Sequence, residues 1–129
     1  MTIMSNIEST KSAYKTFATG DLAALKEYFT PEITWYSSDE VAPGGDYQGL
    51  DAVMTMMSHL AEHWTSMSLE PTDYFDAGDC VVVTGNEEFT NDSGSVTCPY
   101  AHVLRFNADG KVVRSEFYTD SAKAAKLQH

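Results

Sequence analysis

The side chains best suited to moving a proton lie near the end of the chain. Two strand-like runs, Val96 to Phe106 and Lys111 to Thr119, flank the sequence Asn107-Ala108-Asp109-Gly110. That linker reads as a hairpin turn, with Gly110 suited to a left-handed bulge position. A bulge there sets His102 opposite Glu116, Tyr100 opposite Tyr118 and Leu104 opposite Arg114. Residues two apart share one face of a strand. Tyr100, His102, Glu116 and Tyr118 are therefore expected together on one face, with Ala101, Val103, Ser115 and Phe117 on the other, where they would suit packing against a second sheet. A carboxylate beside an imidazole can orient the ring and hold its proton, and burial can tune either group as a general acid or base. The alternative is a cross-strand polar pair with no chemistry to do.

A second motif is His59-Leu60-Ala61-Glu62-His63, the H-x-x-E-H string of one metallopeptidase class. Histidines four apart on a helix can share a zinc ion. Here Leu60 and Trp64 hold the buried stripe, which turns both histidines toward the flank, so no metal is expected. No phosphate-binding glycine loop, nucleophile elbow or cofactor motif is recognisable, and no cofactor is expected. Cys80 and Cys98 fall within strand-like runs and read as free thiols.

The elements that must position these residues can be read from periodicity and punctuation. Ser5 and Glu8 have capping-box spacing, and Ile7, Tyr14, Phe17 and Ala18 form an apolar stripe that Gly20 ends. Asp21 can cap a second helix that buries Leu22, Leu25 and Phe29. Glu32 to Ser37 is strand-like, Asp39 to Gly49 a loop, and Leu50 to Trp64 a third helix with Val53, Met57, Leu60 and Trp64 on one side. Four strands follow: Ser66 to Phe75, where Pro71 requires an edge or a bulge, then Cys80 to Thr90, Val96 to Phe106 and Lys111 to Thr119. Ser121 to Leu127 suits a short terminal helix. Helices followed by an antiparallel meander make an α+β domain spanning residues 1–129, in which a strongly twisted sheet can wrap around a pocket. Trp35, Tyr36, Met54, Met57, Trp64, Tyr100 and Tyr118 are the expected lining for a small hydrophobic molecule.

The chain has 129 residues, 43% of them hydrophobic, and a formal net charge of −11. That length suits one domain, and that charge repels nucleic acid and anionic lipid. Nothing resembles a membrane span or a secretory leader, so a cytoplasmic protein is expected.

Several segments resemble the nuclear-transport-factor-2-like superfamily. They are Ala13-Tyr14 through Gly20-Asp21-Leu22 with Phe29 and Pro31-Glu32-Ile33-Thr34-Trp35, then Tyr47-Gln48-Gly49-Leu50-Asp51-Ala52-Val53, then His102 to Phe106, Asp109 to Val113 and Phe117 to Asp120. The likeness is to the polyketide-cyclase (SnoaL-like) and ketosteroid-isomerase branches. It implies a cone-shaped α+β barrel, three helices on a curved, mostly antiparallel sheet, commonly a homodimer packed through that sheet. It also implies Tyr14 as a donor near the pocket, and His102 with Glu116 as the catalytic pair of the cyclases. The isomerases' proton-shuttling aspartate falls at Ser37, with Asp39 two residues on, which argues against steroid isomerisation itself. The expected activity is cofactor-free acid–base chemistry on a small carbonyl or epoxide compound: isomerisation, cyclisation or dehydration. His102 would be the acid or base, Glu116 its orienter or the base, and Tyr14 or Tyr118 the oxyanion donor. Non-catalytic ligand binding, or a protein-interaction role, is the alternative.

Overall fold

A computed structural model describes residues 4–129. The first helix, α1 (Asn6–Ala18), starts where the Ser5 hydroxyl accepts the Glu8 backbone N–H, and it buries Thr10 and Ala13. Gly20, at φ +80°, reverses the chain into α2 (Leu22–Leu25), whose first turn is held by Asp21 accepting from Ala24. A single 3-10 turn leads into β1 (Phe29–Ser37).

The segment read as a loop contains a short strand, β2 (Gly45–Gln48), antiparallel to β1. Next comes α3 (Leu50–Ser58), which buries Val53, Met56 and Met57. The third helix is not continuous to Trp64 as its stripe predicts. It breaks at His59 (φ −90°, ψ −4°) and restarts as α4 (Leu60–His63). The break lets Trp64 turn inward, where it is 3% exposed and packs on Phe89.

Four long strands complete the sheet: β3 (Ser66–Asp76), β4 (Cys80–Asn91), β5 (Gly94–Phe106) and β6 (Val112–Thr119), followed by α5 (Ser121–Ala125). The sheet order is β2-β1-β6-β5-β4-β3. The predicted four-strand meander is therefore extended by β1, which pairs parallel to β6, and by β2 beyond it. The sheet does not close, because β2 and β3 remain its edges. Pro71, which lacks an N–H for the ladder, sits on edge strand β3, where the register shifts before Asp73. Opposite it, Gly85 leaves room for the irregular backbone, since a Cβ there would fall 2.3 Å from the Glu70 carbonyl oxygen.

The helices cover one sheet face. Ile33, Val53, Val81, Val83 and Val112 between them are fully buried, each contributing about 1.5–3 kcal/mol of apolar transfer. No helix among the described residues is long and apolar enough to cross a membrane.

Candidate functional site

The inner sheet face follows from strand alternation. Strand β4 turns Val81, Val83, Glu87 and Phe89 inward, and β5 turns Cys98, Tyr100, His102, Leu104 and Phe106 inward. On β6 the outcome differs from the spacing argument. Phe106 pairs with Val112 as a Gly110 bulge requires, but Arg105 pairs with Arg114, so Val113 is an extra residue. Beyond that point His102 lies opposite Phe117, Tyr100 opposite Thr119 and Leu104 opposite Ser115. A slip of one residue transfers a strand's side chains to the other face. Ser115 and Phe117 therefore face His102, while Glu116 and Tyr118 face outward.

The expected His102–Glu116 pair is thus not formed. Glu116 accepts from Arg105 Nε at 3.1 Å and from the Tyr118 hydroxyl at 2.7 Å. Partial burial alone would raise its proton affinity, but bonds from Tyr118 and Arg105 and the nearby Arg114 hold the carboxyl below its usual range. It is an outer-face ion pair.

His102 instead joins a chain of neutral groups. Its Nδ1 lies 2.8 Å from the Tyr14 hydroxyl, and its Nε2 lies 2.7 Å from the Ser115 hydroxyl. The Tyr100 hydroxyl donates to that of Tyr14 at 3.2 Å. Phe117 stacks on the imidazole at 3.7 Å between ring centroids, and Trp35 closes a second side at 6.0 Å. Burial pulls the His102 proton affinity down to about 3, so the ring is neutral at neutral pH and carries one N–H. With that proton on Nε2, the ring donates to Ser115 and Tyr14 donates to Nδ1. With it on Nδ1, the ring donates to the Tyr14 oxygen, which also accepts from Tyr100. The Tyr14 O–H is then free to point at a molecule in the cavity. Burial, reinforced by the Tyr100 hydrogen bond, strongly disfavours ionisation of Tyr14, which keeps it a donor.

Sequence reasoning missed Glu87. Its residue is 4% exposed, and it lines the same cavity as Tyr14 and His102. Burial pushes its carboxyl up to about 7, only partly offset by the Thr119 hydroxyl. The signal was present: the inward positions of β4 read Val81, Val83, Gly85, Glu87, Phe89, with one acidic residue among apolar ones. A buried carboxyl titrating near neutrality beside a phenol donor is equipped to accept and return a proton.

The cavity between helices and sheet measures about 130 Å³. Its walls are mainly aromatic side chains, methionines and aliphatics. Roughly 150 Å³ of apolar space accepts one aromatic ring, so a compact ring compound is the right scale. Of the expected lining residues, Trp35, Met57 and Trp64 reach it, together with Tyr14 and His102. Tyr100 is buried beside Tyr14 but does not line the space. Met54 packs half-buried against the core instead. Tyr36 and Tyr118 meet on the outer sheet face at 5.8 Å, with Tyr118 49% exposed. Both lie outside because the strand positions they occupy point outward. Ser37 lines the cavity and Asp39 does not.

His59 caps α4 and His63 ends it, and His59 Nδ1 pairs with Glu62. Among the described residues no three histidine, cysteine, aspartate or glutamate side chains are grouped to hold a metal.

Residues 11–115 match the family described as SnoaL-like domain. A nuclear-transport-factor-2-like protein of unknown function from Burkholderia pseudomallei is 30% identical, with a TM-score of 0.88 over 96% of this chain and 98% of that one. TerC, solved with polyporic acid, is 25% identical, with a TM-score of 0.86 over 95% and 96% of the two chains. An uncharacterised Mycobacterium tuberculosis protein is 27% identical over 124 residues, 95% of each chain.

Proposed function

The chain belongs to the SnoaL-like domain family, a small-molecule pocket fold, and from that premise we propose that it is a cofactor-free enzyme moving protons on a small hydrophobic carbonyl compound. The carrying observation is Glu87, a buried carboxyl lining an apolar cavity and poised near neutrality. In the proposed step the Glu87 carboxylate removes a proton from the carbon next to a carbonyl, and the electron pair passes to the carbonyl oxygen. Tyr14 donates its O–H to that oxygen while His102 and Tyr100 donate to Tyr14. Glu87 then returns the proton to a different carbon, giving isomerisation, or to a departing hydroxyl, giving dehydration. The carboxyl missing at Ser37 is thereby supplied from another strand. The co-crystallization of TerC with polyporic acid supports a small organic molecule as the occupant of this fold. A second copy of the chain packing on the outer sheet face, where Phe75 and Tyr118 are exposed, is part of the same proposal.

A carrier role draws on one specific observation, that both ring nitrogens of His102 already have partners. Deuterium exchange separates the two readings without knowledge of the net reaction. Small cyclic ketones are incubated in D2O with the protein, and loss of the proton next to the carbonyl is followed by NMR. Exchange well above buffer is expected, falling by at least about a hundredfold in Glu87→Gln and Tyr14→Phe. Exchange at the buffer rate across the panel would favour the carrier.

A further inference from the structure

The polar groups of the cavity decide what can enter it. Among the described residues its lining contains Tyr14, Ser37, Ser38, Glu87, His102 and Thr119 as polar residues, and neither a lysine nor an arginine. His102 is held neutral with both nitrogens engaged, so it offers no positive charge to a ligand. The two arginines of the chain are committed to the outer face: Arg105 to Glu116, and Arg114 to Thr34 and Glu116. Among the described residues Glu87 is the only acidic residue in the lining, and the Thr119 hydroxyl is the one side-chain donor that offsets its burial. An anion entering this space would meet a carboxyl and find no cation, and an unpaired buried charge is costly. A hydroxyl or amine would instead supply Glu87 with a further donor beside the Thr119 hydroxyl. Beyond Glu87 on the same strand face lies Phe89, packed on Trp64 at 4.8 Å, an aromatic wall for the apolar part of such a molecule.

We propose that the cavity selects by charge: its ligand presents an O–H or N–H donor on a compact apolar frame to Glu87, and a carboxylate of the same size is turned away. This rests on the reading of Glu87 as the working polar group of the pocket, and it narrows the substrate to carbonyl ring compounds that also bear a hydroxyl or amino group. Sites for free acids and phosphate esters are built the other way, around arginine or lysine.

The test uses three probes on one two-carbon phenyl skeleton, 2-phenylethanol, 2-phenylethylamine and phenylacetate, titrated at pH 8 into full-length protein and followed by amide chemical shifts. The alcohol and the amine are expected to bind at least about tenfold more tightly than the carboxylate. Glu87→Gln, which keeps the shape and adds an amide donor, is expected to bring the carboxylate within about threefold of the alcohol and to weaken the amine. Glu87→Leu serves as a second variant, expected to weaken alcohol and amine together. Equal binding of the carboxylate by the wild type, a preference that survives both substitutions, or saturable binding by none of the probes would each overturn the proposal. Deuterium exchange scores the chemistry separately. A selective but inert protein leaves the ligand class standing and removes the enzyme, whereas exchange without selectivity does the reverse.

Discussion

Glu87→Gln should stabilise this protein, and by an amount that depends on pH. The wild-type carboxyl is moved by burial from 4.5 to about 7. At about 1.4 kcal/mol per tenfold change in proton affinity, that is roughly 3 kcal/mol in favour of the protonated form. The folded-state value lies above the unfolded one, so between them the unfolded chain holds fewer protons. Stability therefore falls as pH rises through this window, and the full penalty stands above pH 7. Glutamine has the same shape and never ionises. The variant should match the wild type near pH 4 and exceed it by up to roughly 3 kcal/mol at pH 8. For a chain of this size that corresponds to a gap in Tm of about 10 °C. Urea unfolding at steps from pH 4 to pH 8, followed by circular dichroism, reads the difference directly. All other titrating groups are common to both proteins and cancel. A gap that is constant with pH, or that favours the wild type at pH 8, would refute the placement of Glu87 as a buried carboxyl with no cation beside it.

Three further outcomes are expected. His102 is shifted the opposite way, to about 3, so the stability it confers is complete above its unfolded value near 6.5 and is lost as pH falls below it; His102→Gln should flatten the acid limb of the same urea series. Glu116→Gln breaks only an outer-face pair, and should leave deuterium exchange within about twofold and cost no more than about 1 kcal/mol of urea stability. Gln128 accepts from the Ala42 N–H and donates to the Ala42 carbonyl, each at 2.9 Å, tying the C-terminal segment to the loop at one side of the cavity. Gln128→Ala should raise amide hydrogen exchange at residues 41–44, with little change in β4 and β5.

How much of this was legible in the sequence depends on whether the cause was local. The Ser5 cap, the turns at Gly20 and Gly110 and the edge placement of Pro71 follow from single-residue chemistry, and they lie where the sequence puts them. The parallel pairing of β1 with β6 joins segments about eighty residues apart, and no local signal specifies it. Strand β2 is short and follows a glycine-rich stretch, so it reads as loop until β1 is there to pair with it. The candidate site was half legible for a similar reason. Tyr14 and His102 meet as the family resemblance implies, but Glu116 does not join them. Alternation fixes which residues share a face only until an extra residue intervenes, and nothing about Val113 announces that it is the extra one. Glu87 was visible as an acid in an inward register, yet its neighbours Tyr14 and Thr119 come from elements far away in the chain. Nothing in the last hairpin alone points to it.

The claim on which the rest depends is that one carboxyl, Glu87, sits in the cavity ready to exchange a proton near neutral pH. Carbon-13 NMR of protein labelled at the glutamate side-chain carboxyl, titrated from pH 4 to pH 9 and assigned by comparison with Glu87→Gln, measures this directly. The resonance absent from the variant is expected to titrate near pH 7, clear of the remaining glutamates. A Glu87 resonance that titrates near 4.5 with the others would contradict it.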